Sequence, residues 1–231
     1  ASGYLDILVG EDAGGAGLSL LDAAPIFELL GRHALPLPIG DTMVARALLA
    51  RAGVEYGSGP IALVTGAHPT VGAALAEAFL TGSPTAPKLT KADVQPTGIY
   101  GDRSAVVALS GSAELRPLSA IVRALLIAGA AHQLLEKTVT YANDRAQFGK
   151  PIGKFQAVQQ QLAVLAEQAV AARIAAAMGA RAGLDASPLQ AGFAKHSASV
   201  AAAQIGPIAH AVHGAIGISE EFDLQLFTRR L

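Results

Sequence analysis

The chain has 231 residues, 52% of them hydrophobic and only 15% charged, with 25 Gly, 12 Pro, no Trp and no Cys. Lys and Arg total 17 against 18 acidic residues, so a net charge of -1 excludes a general electrostatic footprint for nucleic acid. The absence of cysteine excludes disulfides, thiolate nucleophiles and Cys-ligated zinc, and suits a reducing, cytoplasmic compartment. A mean hydropathy of +0.41 would fit a membrane protein. The longest apolar run, 124–131, is closed by Arg123 and His132, however, well short of the roughly 20 residues a spanning helix needs, so no span is expected. Alanine, the commonest residue, raises hydropathy without requiring lipid and suggests closely packed helices. No basic segment followed by an apolar one marks a secretory leader near the start.

Composition divides the chain into three zones, which are expected to form an N-terminal helical domain (1–57), a small β domain (58–117) and a C-terminal helical bundle (118–231). The first opens with the glycine-rich loop Gly10-Glu11-Asp12-Ala13-Gly14-Gly15-Ala16-Gly17. That loop lacks the Gly-Lys-Ser/Thr ending of a phosphate loop and reads as a chain reversal. Ser19 is a plausible cap for a helix carrying Leu20, Leu21, Ala24, Phe27 and Leu30, which Pro36-Leu37-Pro38 would break. A second short helix is predicted over 42–52, ended by Gly53. In the middle zone, 61–64 and 105–109 read as short buried strands with Gly and Pro turn formers between them, and 71–80 is ambiguous between helix and strand.

The third zone reads as helix almost throughout: 118–144, 155–183, 187 to about 212, and an amphipathic stretch after Glu220-Glu221. Long helices with short connections imply an antiparallel bundle. The fold class is therefore mostly α with a β insert.

Chemistry-bearing residues concentrate at the turn Tyr141-Ala142-Asn143-Asp144-Arg145-Ala146-Gln147-Phe148-Gly149-Lys150-Pro151 and its continuation to Lys154-Phe155-Gln156. Gly149 suits a left-handed closing residue, and Pro151 prevents the preceding helix from continuing. Arg145, Lys150 and Lys154 surround the start of the next helix, a suitable seat for a phosphate or diphosphate that Arg145 could grip with two donors. Phe148 offers a flat apolar face and Gln156 an amide that donates and accepts. A solvated basic turn in a helix hairpin is the alternative reading of the same spacing.

The pattern Arg145-x-x-Phe148-Gly149-x-Pro151-Ile152-x-x-Phe155-Gln156 between two long helices resembles the acyl-CoA dehydrogenase family. So do 8–19 as its N-terminal loop and helix start, and 213–221 leading to Thr228-Arg229-Arg230 as its late flavin-facing segment. The resemblance implies an N-terminal helical domain, a central β domain and a C-terminal four-helix bundle, with FAD held partly by a neighbouring subunit. It places Arg145, Gln147 and Phe148 against the adenosine-diphosphate part of FAD, with Gln156 on the next helix. His210, His213 and Gly214 take the place of the late pyrophosphate contact. It further implies α,β-dehydrogenation of an acyl-CoA thioester, in which a carboxylate removes the α-proton and the flavin takes a hydride. An electron-transfer flavoprotein would be a fitting acceptor.

The sequence departs from that family at the positions its chemistry uses. The common catalytic glutamate is expected beyond Leu231. The alternative position, near the start of the bundle's first helix, falls on Ser119 and Ala120, neither of which can act as a base. The middle zone is short and lacks the Trp-containing stretch that encloses the flavin ring. Heteromeric members of the family in bacterial steroid and cholesterol side-chain degradation contain a degenerate subunit. The resemblance therefore implies a non-catalytic partner in an α2β2 assembly, with the acid on a catalytic acyl-CoA dehydrogenase subunit. A self-sufficient dehydrogenase and a non-enzymatic helical scaffold are the alternatives.

No metal is expected. His210 and His213 share a helical face at i and i+3 but lack further ligands, leaving cofactor contact or helix packing. Glu220 and Glu221 suit a helix N-terminus, and His132 and His196 read as packed or capped bundle residues.

Overall fold

The computed structural model describes residues 3–99 and 101–231. These residues pack as two compact units. One comprises the described residues of Ala1–Pro25 with Leu35–Val122 and Gly179–Gly192, the other Ile26–Ala34, Arg123–Met178 and Phe193–Leu231.

In the first unit the glycine-rich loop folds back on itself: the Gly17 amide donates to the Val9 carbonyl at 2.8 Å and Leu18 to Ile7 at 2.9 Å. Gly15 is required there because a Cβ would collide with the Val9 and Asp6 carbonyls. Ser19 does cap helix α1 (Leu20–Arg32), its Oγ accepting the Asp22 amide at 3.1 Å and donating to the Asp22 carboxylate at 2.6 Å.

Helix α2 (Ile39–Arg51) begins three residues earlier than the sequence suggests and is buried from Gly40 to Leu49. Thr42 joins it to strand β1 (Ile61–Leu63): its Oγ1 donates to Pro38 O at 2.7 Å and accepts the Ile61 amide at 2.9 Å. Arg46, 6% exposed, donates to both carboxylate oxygens of Asp6 at 3.0 Å and to Ser58 O at 2.7 Å, pinning the entry loop to α2.

The ambiguous stretch 71–80 resolves into a 3-10 turn at Ala73–Leu75 followed by strand β2 (Ala78–Gly82). β2 lies parallel to β1 and antiparallel to β3 (Pro87–Thr90). A separate antiparallel pair joins β4 (Val94–Pro96) to β5 (Ala105–Val107). Ala62, Val64, Phe79, Ala105 and Val107 form the core between these strands.

In the second unit, helix α3 (Arg116–Asp144) contributes its part from Arg123 onward, α4 (Gln156–Ala180) its part to Met178 and α5 (Pro188–His213) its part from Phe193. Ala131 and Leu134 of α3 meet Leu165, Ala169 and Ala172 of α4 and Ala201, Ile205 and Ala209 of α5. Farther along, Ala142 packs with Val158 and Val212, so α4 runs antiparallel to both neighbours. Alanine at these facing positions lets the rods approach closely, as composition suggests. The end of α1 crosses α3 backbone to backbone: a Cβ at Gly129 would collide with the Glu28 carbonyl, and one at Gly31 with that of Leu126.

The fourth rod within this chain is the five-residue helix α6 (Leu224–Thr228), whose Leu224 and Phe227 enter the bundle core. Glu220 and Glu221 are exposed turn residues ahead of it rather than its first turn, because the helix starts only after Asp223. By length and composition α3 and α4 are each long and apolar enough to cross a membrane, since scattered charges interrupt a run without polarising a whole helix. In α3, 61% of that apolar stretch is buried, as in the core helix of a bundle.

Candidate functional site

The connection between α3 and α4 is a tight β-hairpin. Strand β6 (Ala146–Gln147) pairs with β7 (Lys150–Pro151), so Pro151 lies in a strand while α3 already ends at Asp144. The two central turn residues, Phe148 and Gly149, have φ +52° and +79°, the sign pattern of a type I′ turn. Gly149 adopts this freely. For Phe148 the left-handed conformation costs about 1–2 kcal/mol.

The hairpin is anchored from below: the Arg145 amide donates to Tyr141 O and the Ile152 amide to Arg145 O, both at 2.8 Å. Ile152 is 9% exposed and packs with Ala142 and Val212. Everything chemically active is on the outside. Arg145, Gln147, Phe148, Lys150, Lys154 and Gln156 are all exposed, and Phe148 is 92% exposed. The Lys150 ammonium sits 4.5 Å over the Phe155 ring, and Phe148 meets that ring edge-on at 6.2 Å. A rigid elbow therefore presents one aromatic face, a guanidinium, an ammonium and an amide to the surroundings.

The second segment is built the other way round. His213 is 3% exposed. Its ring stacks on Tyr141 at 4.4 Å between centroids and lies 4.9 Å from Phe222. Nδ1 lies 2.7 Å from the Ala209 carbonyl, which can only accept, so Nδ1 carries the proton. Nε2 is buried without a partner among the described residues. Tyr141 Oη donates to His213 O at 3.2 Å. Burial pushes the His213 pKa below that of an ordinary imidazole, with His210 and Lys137 adding to the shift and the Ala209 bond and Asp223 opposing it.

His210 is half-buried, with Nε2 3.0 Å from Thr228 Oγ1 of α6 and Nδ1 without a partner among the described residues. Gly217 closes over both histidines: a Cβ there would lie 3.0 Å from His213 Cβ and 3.4 Å from His210 Nδ1. Gly214 is exposed, at φ +64° with nothing within 4 Å of its missing Cβ, and so are Ala215 and Ile216 beside it.

The two segments share one patch of packing, since Tyr141 and Ala142 of α3 touch both Ile152 and Val212. Sequence reading brought out Arg145, Gln147, Phe148, Gln156 and Gly214, which are surface groups, together with His210 and His213, whose rings face inward. It gave Tyr141, Phe222 and Thr228 no part in holding those rings, which is what they do. Aromatic residues at the end of one helix and after an acidic pair were the available signals. Among the described residues no cluster of three His, Asp or Glu side chains could hold a metal.

A dinucleotide fits the exposed groups. Phe148 can face a base, Arg145 and Lys150 can meet phosphate oxygens, and the bare backbone at Gly214 allows close approach. The His213 ring offers no surface to such a ligand, and only its backbone lies near Gly214.

Residues 117–231 match the acyl-CoA dehydrogenase C-terminal domain. The whole chain is 33% identical to the acyl-CoA dehydrogenase IpdE2 of Mycobacterium tuberculosis, an alignment covering 99% of this chain and 76% of that protein. In fold it is similar to the Tcur3481-Tcur3483 steroid ACAD, with a TM-score of 0.79, 24% identity and coverage of 99% and 80% of the two chains. It is likewise similar to the ChsE4-ChsE5 complex from Mycobacterium tuberculosis, with a TM-score of 0.75, 23% identity and coverage of 99% and 79%. Members of the acyl-CoA dehydrogenase family use FAD. This chain belongs to the acyl-CoA dehydrogenase family.

Proposed function

We propose that the chain is the flavin-supporting, non-catalytic subunit of a heteromeric acyl-CoA dehydrogenase, an α2β2 assembly acting on an acyl-CoA thioester of the steroid-degradation type. The observation that carries this reading is the elbow. Phe148 is held outward against its backbone preference, beside Arg145, Gln147 and Lys150, and is 92% exposed. Such strain persists where the surrounding structure enforces it, and it clusters at ligand-contacting positions.

Arg145 would pair with the diphosphate, Phe148 would cover the adenine, and Gln147 and Gln156 would hydrogen-bond around it, all on a dinucleotide held mainly by a catalytic partner chain. The Gly214 backbone would line the same path. Bound FAD supplies hydride acceptance from the β-carbon. The carboxylate that takes the α-proton would come from the partner, because Ser119 and Ala120, neither of them a base, stand where the family resemblance implies an alternative acid and its arginine. An electron-transfer flavoprotein would reoxidise the assembly. Two relatives by fold, the steroid ACAD and the ChsE4-ChsE5 complex, support a heteromer through their names alone.

The test is to purify the chain alone and together with a candidate catalytic acyl-CoA dehydrogenase subunit from the same organism, and to read the flavin absorbance and acyl-CoA oxidation of each. Flavin and turnover only in the pair are expected. Full flavin content and full activity in the lone chain would reject the partner-subunit reading in favour of a self-sufficient dehydrogenase.

A further inference from the structure

We propose that His213 is a positioning residue that fixes the elbow and the Gly214 turn as one surface, and that its protonation releases the one from the other. The inference rests on the flavin-support reading for its purpose, but not for its physics.

The geometry is that of a clamp. The His213 ring stacks on Tyr141, at the end of α3, and meets Phe222, in the turn before α6, at a 47° tilt, while Tyr141 and Phe222 touch edge-on at 6.1 Å. Tyr141 also accepts the Arg145 amide on its carbonyl, the first bond of the elbow, and donates its hydroxyl to the His213 carbonyl, the last before Gly214. One residue thus meets both segments, the elbow through its backbone carbonyl and the Gly214 turn through its hydroxyl and ring. Aromatic pairs of this kind add about 0.5–1.5 kcal/mol beyond the area they bury.

The clamp requires a neutral ring. Nδ1–H is committed to Ala209 O, so an added proton goes to Nε2, which is buried and has no acceptor among the described residues. The charged and titratable groups around it are Tyr141 and Lys137 on α3, His210 on α5 and Asp223 ahead of α6. Lys137 is already paired with Asp223, at 2.8 Å to Oδ2 and 2.9 Å to Oδ1, so that nearby carboxylate already has a cationic partner. The folded-state pKa of His213 is lowered. Its contribution is therefore complete above the unfolded value of about 6.5 and is lost as pH falls through the lower folded value. Acid should open the clamp.

The experiment is amide hydrogen exchange of the full chain, corrected for intrinsic pH dependence, read at Arg145 and Ile152. It compares wild type, His213→Ala and His213→Phe at pH 7.5 and 5. The expected result is a roughly tenfold loss of protection at both amides in His213→Ala at either pH, and in wild type at pH 5 only. His213→Phe keeps the stack, cannot ionise, and should hold its protection at both pH values. Unchanged elbow protection in folded His213→Ala would overturn the proposal, as would an acid-induced loss in His213→Phe equal to that of wild type. If His213→Ala does not fold, the wild-type and His213→Phe pH series decides. FAD affinity of the assembled complex should follow elbow protection across the same series. Protection that behaves as expected while FAD is bound equally by all forms would leave the clamp standing and remove the flavin-support reading.

Discussion

The elbow at 145–156 and the turn at 210–217 belong to one unit, touch a common cluster of apolar side chains, and were both singled out as nucleotide-facing, yet they are built on opposite plans. In the elbow the backbone is the fixture and the side chains are the working parts: two short hydrogen bonds and Ile152 hold the hairpin while Arg145, Gln147 and Phe148 point away. In the later turn the side chains are the fixture, with His213 and His210 facing inward, and the exposed backbone includes that of Gly214. A motif therefore does not say whether its residues touch a ligand or hold the residues that do. Substitution should separate the two roles, since one kind removes binding and the other removes structure.

The largest expected effect on stability is at His213. Truncation to Ala removes a buried ring stacked on Tyr141 and leaves a cavity beside Tyr141 and Phe222, which should lower unfolding free energy by about 2–3 kcal/mol, at or below the lower end for the larger Phe and Trp rings. A denaturant titration at pH 7.5 measures it. A loss below about 0.5 kcal/mol would place His213 with the surface residues and erase the contrast.

Arg145→Ala should give the reverse pattern. The side chain is exposed, so stability should stay within about 0.5 kcal/mol of wild type. FAD binding by the assembled pair should weaken roughly tenfold to a hundredfold, the range of a lost charge-assisted hydrogen bond of about 1.5–3 kcal/mol. Equal flavin content and equal partner activity in this variant would favour the scaffold reading of the chain.

A smaller effect belongs to Thr228, which ties α6 to α5 through His210. Thr228→Val keeps the shape and removes the hydroxyl, leaving both His210 ring nitrogens without a protein partner among the described residues. The expected loss is about 1 kcal/mol, read as a lowered thermal midpoint, with elbow protection unchanged. If the elbow loosens as well, the two histidines act as one support and not as two.

Much of this architecture is legible in the sequence because the bundle repeats its signal over long windows. Helices α3, α4 and α5 fall within a few residues of the stretches expected from apolar periodicity, and Ser19 caps α1 as its position suggests. Strands β3 and β4 were not legible: each is three or four residues long, each contains a proline, and β4 is wholly exposed, so no alternation marks it.

At the site, residue types announced a cationic turn, but the conformation of Phe148 could not be read, since nothing in a Phe-Gly pair states that both residues will take positive φ. The inward rotation of His213 was equally hidden. Its i and i+3 relation to His210 implies a shared face, and only the partners Tyr141, Phe222 and Thr228 decide how each ring is used. Those partners lie 72, 9 and 18 residues away along the chain, counting from His213 to Tyr141 and Phe222 and from His210 to Thr228.

Phe148 supplies the most delicate test of the contrast, because it sets function against backbone preference at one residue. Glycine at this position adopts φ +52° without strain, which recovers about 1–2 kcal/mol, but it also frees the unfolded chain and returns part of that gain. The net expectation for Phe148→Gly is a stabilisation of about 0.5–1 kcal/mol, seen as a raised denaturant midpoint with unchanged slope. The aromatic ring that would face the adenine is then absent, so FAD affinity in the assembled pair should fall while the protein becomes more stable. A ring retained only for packing would give the opposite signature, a loss of stability on its removal. With 92% of the residue in contact with solvent there is little packing to lose, and the two readings therefore predict changes of opposite sign in one measurement.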